Sequence, residues 1–348
     1  MKRWIALLGA AVLVAVIAAG CGSGGGSSST AETTGEGKPA ESSAGGGKKV
    51  FYISPVAAQP GQQQVNEGLE QGAQELGWSE KVLDSALSPE KQVSNVETAV
   101  NQGAAAIASW TLDPNAVAGA YEKAQNSDIP VIGMNSKGSG VTATVWWETE
   151  LCEQDGAWAR TAEMIAEMKP HAKTIVIGLE VAESTKAESD CFINEAKRVG
   201  LDIINETNNE ADNASGSQKV FEPLLTKYPE VEAVWNYNDE SAMGVSAALL
   251  AAGKTIASTE NPEGIIVTGS NGDKDAIEAV EEGRLSWTWD PDNTATGFAA
   301  IKLMNEALEG GKPQDAKIEA QLVDAETVGE YVRPEEREYT LETLPLKG

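Results

Sequence analysis

The stretch V-E-A-V-W-N-Y-N-D-E-S-A-M-G-V-S-A-A-L-L-A-A-G, residues 231–253, decides the fold. Its apolar opening predicts a short buried strand over 231–235. Asn236, Asn238 and Asp239 follow at once, and an amphipathic helix then runs to Gly253, the residue type that most readily closes a helix. In an open α/β sheet, ligands bind beyond the carboxyl ends of the strands, and Asn238 and Asp239 stand at such a point. Asp239 reads first as the helix cap, accepting from the free N–H groups of the first turn. Asn238 reads as a ligand contact.

The same strand–helix alternation extends on both sides. Upstream, strands are expected over 50–54, 81–84, 104–109 and 130–134, with helices over 62–76, 90–102 and 115–126 between them. Gly77 and Gly103 close two of those helices. A second series follows: an extended 143–147, a helix from about 153 to 168, a strand over 174–178, a helix over 186–199, a strand over 201–206 and a helix over 217–227. After the opening stretch come a strand over 264–269 and helices over 274–282 and 294–309, leaving a tail over 318–346. Such alternation implies parallel sheets covered by helices on both faces. Two series of similar length imply two lobes.

The first 47 residues differ in kind. Lys2 and Arg3 precede an apolar run over 4–19, shorter than a comfortable membrane span. It ends in Ala18-Ala19-Gly20-Cys21, which resembles a bacterial lipobox, so residues 1–21 are expected to be a lipoprotein signal ending at a lipidated Cys21. The alternative is an ordinary secretory signal with an incidental cysteine. Residues 22–47 are rich in Gly, Ser and Thr and hold no large apolar side chain, the composition of a flexible tether. An extracytoplasmic domain anchored to the cell membrane through Cys21 follows from that reading.

Composition excludes several functions. Lys and Arg number 26 against 53 Asp and Glu, a net charge of -27, the wrong sign for binding nucleic-acid phosphates. A lone histidine, His171, leaves no basis for His-based catalysis or a His-ligated metal. The chain contains no G-x-S-x-G, P-loop or H-E-x-x-H. Carboxylate pairs are too frequent in so acidic a chain to indicate a glycosidase. The expectation is a binding protein, not an enzyme, with no cofactor or metal.

Seven segments in order resemble the periplasmic binding proteins of the ribose-binding type, the solute receptors of ABC importers. They are V-F-Y-I-S-P (50–55), N-E-G-L-E-Q-G-A-Q-E-L-G-W (66–78), N-Q-G-A-A-A-I-A-S-W-T-L-D-P-N-A-V (101–117), D-I-P-V-I-G-M-N (128–135), L-L-T-K-Y-P-E-V-E-A-V-W-N-Y-N-D-E-S-A-M-G (224–244), G-S-N-G-D-K-D-A-I-E-A-V-E-E-G-R-L (269–285) and W-D-P-D-N-T-A-T-G (289–297). The resemblance implies the type I fold: two Rossmann-like, doubly wound lobes joined by a three-segment hinge that closes on ligand. Lobe 1 is then 48–147 with 289–320, and lobe 2 is 148–288 with 321–348. The implied partners are a small-molecule ligand and an ABC permease, with the protein acting as a monomer.

The same resemblance maps polar ligand contacts onto Gln59, Asn135, Asn238 and Asn271, and a cleft Arg position onto Lys186. Amides donate and accept, which suits a sugar or sugar-like ligand. The family's stacking aromatics fall on Gly61 and Gln62, and Trp110 and Trp289 are expected to take their place, presenting faces to the C–H side of a ring. Trp287 comes next by strand alternation, whereas Trp78 and Trp158 read as packing. Acidic residues mapping near the cleft, Asp212 among them, make a cationic or heterocyclic ligand the alternative. A sensor feeding a signalling receptor is the alternative to import. With Cys21 assigned to lipid, Cys152 and Cys191 remain as an even pair in an exported protein, both mapping near the cleft rim, and are expected to form a disulfide.

Overall fold

The computed structural model describes residues 47–347; the signal segment, Cys21 and nearly all of the tether lie outside them. Two sheets organise those residues. The first contains β1 (Lys49–Ser54), β2 (Ser79–Asp84), β3 (Ala106–Trp110), β4 (Val131–Met134) and β5 (Ala143–Trp147). The helices α1 (Pro60–Glu75), α2 (Pro89–Asn101) and α3 (Pro114–Gln125) connect the first four of these. The second sheet contains β6 (Lys173–Gly178), β7 (Asp202–Asn208), β8 (Ala233–Asn236), β9 (Ile266–Ser270) and β10 (Trp287–Asp290). It is wound with α4 (Ala157–Met168), α5 (Glu183–Arg198), α6 (Ala214–Lys227), α7 (Asp239–Ala251) and α8 (Lys274–Glu281). The chain closes with α9 (Asn293–Leu308), β11 (Ala316–Ile318), β12 (Gln321–Asp324) and β13 (Leu346–Lys347).

Sheet order is β13-β11-β5-β4-β3-β1-β2 in lobe 1 and β12-β10-β9-β8-β6-β7 in lobe 2. Pairing is parallel except where β12 meets β10 and β13 meets β11. The continuous apolar strands explain the layering. In β1, Val50 and Tyr52 enter one core layer while Phe51 and Ile53 enter the opposite one. In β6, Val176 faces one layer and Ile175 and Ile177 the other. A strand buried on both faces has no polar side to alternate with. Helices α1 and α9 cross so closely that a Cβ on Gly297 would lie 2.3 Å from the Val65 carbonyl oxygen, so only glycine fits that crossing.

Two lobe boundaries differ from expectation. Strand β10 pairs in parallel with β9, Trp287 opposite Thr268 and Trp289 opposite Ser270, so lobe 2 continues through Asp290. The tail does not stay with lobe 2. After β12 it returns to lobe 1, where Leu346–Lys347 pairs with β11 and Tyr339, Leu341 and Leu344 pack on the lobe 1 core. The described chain therefore passes between sheets four times, once more than a three-segment hinge provides: after β5, between β10 and α9, between β11 and β12, and along 325–345.

Arg337 fixes the last passage. Its guanidinium lies 2.5 Å from Asp290 and 3.1 Å from Asp292, with side-chain exposures of 7 %, 0 % and 7 % in that order. The Tyr331 hydroxyl donates to Asp290 at 2.6 Å, and that of Tyr339 donates to Asp292. Asp292 adopts a left-handed backbone, φ 58°, and its side chain caps α9 by accepting from the Ala295 N–H. The β10–α9 crossover is thus clamped by a segment that comes from the far end of the chain.

Candidate functional site

A cavity, partly open to solvent, lies where the carboxyl ends of the strands in both lobes converge. Lobe 1 contributes Pro55, Val56, Gln59, Gln62, Leu87 and Trp110 to its wall. The first crossover contributes Trp147 and Glu150. Lobe 2 supplies Leu179, Ala182, Thr185 and Glu188 from one side and Asp212, Tyr237, Asn238 and Asn271 from the other.

Each wall residue is held by local chemistry. Pro60 opens α1 with its fixed φ, and Gln59 caps that helix by accepting from the Gln62 N–H at 3.1 Å. Buried Gln92 grips the exit of β3, donating to the Trp110 carbonyl at 2.6 Å and accepting from the Leu112 N–H at 2.8 Å. Trp110 therefore leaves the sheet in a defined direction. Its ring meets that of Trp147 edge-on, centroids 4.6 Å apart and planes at 79°. Trp147 is tied in turn to Thr296 at 2.9 Å through its indole N–H. Opposite them, Asp212 accepts from the Tyr237 hydroxyl and from the Asn238 amide at 2.8 Å.

The lobes meet around this space. The Trp110 indole N–H donates to Ser184 Oγ at 3.1 Å, and the Glu183 N–H donates to the Leu112 carbonyl at 3.1 Å. At the other rim, Asn293 donates to the Asn271 carbonyl at 2.8 Å. All three bonds join one lobe to the other, the arrangement of a closed cleft.

Of the residues singled out from sequence, Gln59, Trp110, Asn238 and Asn271 line the cavity. Asn238, not Asp239, caps α7, accepting from the Ser241 N–H at 2.9 Å. Asp239 is buried behind it, accepting from Thr288 at 2.6 Å and the Asp273 N–H at 2.9 Å. Asn135 stands behind the wall. It adopts φ 50° and accepts from the Trp147 N–H at 2.6 Å, so it positions that tryptophan without lining the space.

Lys186 and Trp289 are corrected by the structure. Lys186 points outward from α5 to an ion pair with Asp190 at 2.5 Å, both side chains about half exposed, because the step of about 100° from the cavity-lining Thr185 turns it off that face. Trp289 and Trp287 share one face of β10, as alternation requires, but that face is the lobe 2 core. The Trp289 indole N–H donates to Thr161 at 2.9 Å within that core. Trp158 also packs there and Trp78 packs at the end of α1, in keeping with the packing roles read for them. Sequence reasoning did not single out Trp147, Tyr237, Glu150 or Glu188 as ligand contacts.

The cavity is acidic and carries no Lys or Arg on its wall. Burial pushes Glu150 up to about 8 and Asp212 up to about 6, the latter against the pull of its bonds from Tyr237 and Asn238. Glu188 is 3 % exposed, and burial, with the nearby Glu150 charge adding to it, raises its pKa well above the carboxylate range. Cys152 and Cys191 are bonded with Sγ–Sγ 2.05 Å. They join the segment after the short 3₁₀ turn Glu148–Glu150 to α5, two residues after Glu150 and three after Glu188 in the chain. Among the described residues no group of His, Cys, Asp and Glu is arranged to hold a metal ion.

A profile of the periplasmic binding protein domain matches residues 50–312. The chain belongs to the periplasmic binding protein family. The ribose import binding protein of Bacillus subtilis is 27 % identical over 279 residues, covering 79 % of this chain and 87 % of that one. Among solved structures, an ABC transporter solute-binding protein from Bacillus halodurans with bound myo-inositol superposes with TM-score 0.72 at 23 % identity, covering 82 % of this chain and 97 % of that one. The myo-inositol binding protein of Caulobacter gives TM-score 0.74 at 20 % identity, covering 84 % and 98 %. As a member of this family the chain is an extracytoplasmic binding protein, not an enzyme, and it works with an ABC transporter system. Among the described residues no helix is long and apolar enough to cross a membrane.

Proposed function

We propose that the protein captures a small polyhydroxylated solute, a sugar or cyclitol, in the interlobe cavity and presents it as a monomer to an ABC permease. The observation that carries this reading is the closed cavity itself. Two tryptophan edges and faces meet a ring of amides and carboxylates, Gln59, Asn238, Asn271 and Asp212 among them. A polyol has the matching surface, with apolar C–H faces for the indoles and hydroxyls that both donate and accept around its edge. Closure follows because ligand contacts both walls at once and so binds the closed state more tightly than the open one. The relatives named for ribose and the fold neighbours holding myo-inositol support this ligand class.

Thermal denaturation against a panel of pentoses, hexoses, inositols and linear polyols tests it. A bound solute raises the melting temperature by mass action. Trp110→Ala should weaken binding of any hit by at least about 1 kcal/mol, measured by titration calorimetry. Unchanged affinity would return Trp110 to a packing role. Failure of every sugar and polyol, beside a signal from a flat heterocycle, would replace the ligand class.

The same reading places the domain at the outer face of the membrane through a lipid on Cys21, with residues 22–47 as the tether. Cys21→Ser should move the protein from the membrane fraction to the soluble fraction, and full-length protein should partition into detergent on phase separation. Retention of Cys21→Ser in the membrane fraction would rule out the lipid as the anchor.

A further inference from the structure

Most buried carboxylates in this chain are satisfied. Asp290 and Asp292 have Arg337, Asp239 has Thr288 and the Asp273 N–H, and Asp212 has Tyr237 and Asn238. The two glutamates on the cavity wall are not, and neither is Asp273, which does not line the cavity. Glu188, at 3 % exposure, has no hydrogen-bond or ionic partner among the described residues. Glu150 Oε2 is enclosed and equally without one. They come from different elements, the turn after β5 and α5, and they face the same space. They stand two and three residues before Cys152 and Cys191, whose bond keeps the two segments together.

A buried carboxylate with no partner costs several kcal/mol if it stays ionised, and a second one beside it adds repulsion. No cation among the described residues relieves that cost, since no Lys or Arg lines the wall and Lys186 is engaged outside with Asp190; in the ligand-free protein the pair avoids it by holding its protons, as the raised pKa values of both glutamates record. A cation entering the cavity offers the other relief, a counter-charge that lets one of the pair ionise. A neutral polyol would hydrogen-bond to the pair but would supply no counter-charge. A primary ammonium has three donors and one positive charge, so it pairs with one ionised carboxylate and donates a hydrogen bond to the other, which keeps its proton. The Trp110 and Trp147 rings beside them attract a cation through their faces.

We propose that the natural ligand is a polyhydroxylated amine, an amino sugar or aminocyclitol, whose ammonium sits between Glu150 and Glu188 while its hydroxyls meet Asp212, Asn238 and Gln59. This rests on the polyol reading above and specifies it. Glu150 and Glu188 are then the specificity residues of the site. The hydroxyl contacts are shared with neutral sugars, and the ammonium contact is what separates this receptor from a receptor for neutral sugars.

Matched pairs differing only by OH against NH₃⁺ test the inference by titration calorimetry at pH 7: D-glucose with D-glucosamine, D-sorbitol with 1-amino-1-deoxy-D-sorbitol, and scyllo-inositol with scyllo-inosamine. In at least one pair the amine should bind tenfold or more tightly than its neutral partner. Glu188→Gln and Glu150→Gln should each erase that preference. The ligand-free melting temperature of Glu188→Gln should be unchanged or higher, because a buried acid without a partner has been replaced by a neutral amide of the same shape, so lost binding would not reflect misfolding. A neutral member binding as tightly as its amine overturns the ammonium site and leaves the polyol reading standing. Equal binding of 1-aminobutane, which has no hydroxyls, overturns the polyol part and keeps the glutamate pair. Silence from all three pairs overturns both.

Discussion

Replacing Arg337 with Met should destabilise the fold by about 3–5 kcal/mol, the cost of leaving buried carboxylates without their counter-ion. Asp290 is fully buried and Asp292 nearly so, and both lean on this one guanidinium at 2.5 and 3.1 Å. Methionine keeps the stem volume and removes only the charge and its donors. The deficit should depend on pH in a defined direction. Burial already holds Asp290 above the ordinary carboxylate range against the pull of Arg337, and removing that pull raises it further. A carboxylate whose pKa is raised by folding contributes stability that is complete below its unfolded value and lost as pH rises through the folded one. The variant should therefore fall furthest behind wild type near pH 8 and recover towards pH 5, as read from urea midpoints. Adding Asp290→Asn to Arg337→Met should restore part of the loss. A deficit below about 1 kcal/mol at pH 8, the worth of an exposed pair, would mean that water reaches the cluster. A deficit that grows on acidification would reverse the assignment.

This clamp was invisible in the sequence, and the reason is physical. Local periodicity reports which face of an element is buried, and that made the alternation from β1 to α9 legible: 50–54 and 231–235 read as buried strands because both their faces meet helices. It says nothing about which strand lies beside which. The boundary placed at 289 failed for that reason. Trp287-Thr-Trp289 belongs to lobe 2 through its pairing with β9, the strand before it in the chain, and with the antiparallel β12, and a side-chain pattern reports neither pairing. The tail over 318–346 carried no periodic signal. Its role lies in single contacts, Arg337 to Asp290 across 47 residues and the Leu341 N–H to Glu75 across 266.

The candidate site divides in the same way. Gln59 and Asn271 could be found through the resemblance to the ribose-binding type, and Asn238 because it sits just past a strand, where the fold class itself puts ligands. Trp110 could be found for the same reason, and Trp289 was misjudged by the same rule once its strand was given to the wrong lobe. Glu150 and Glu188 could not be found that way. In a chain with 53 acidic residues two glutamates have no distinguishing mark, and their importance comes from lacking partners. The nearest signal was their spacing from Cys152 and Cys191, two and three residues upstream respectively.

That spacing gives the disulfide two consequences that can be measured together. It closes a loop with a sequence separation of 39 residues. Chain entropy alone assigns such a cross-link about 4 kcal/mol, and measured values for native bonds run from about 2 to 5. Cys152→Ser with Cys191→Ser should therefore lower the urea-derived stability by about 2–4 kcal/mol, a loss below about 1 kcal/mol meaning that the open chain keeps the loop compact without it. The second consequence concerns the cavity. Glu150 and Glu188 come from separate elements, and the covalent bond two and three residues further along the chain holds α5 against the turn after β5. Without the bond, the pair should relax apart in the ligand-free protein, and an ammonium would have to draw it back together. Affinity for the amine members of the matched pairs should fall more than stability alone explains, under conditions where the double variant is still fully folded. Affinity for their neutral partners should fall less. Equal losses for both would show that the bond braces the whole rim and has no particular part in presenting the two carboxylates.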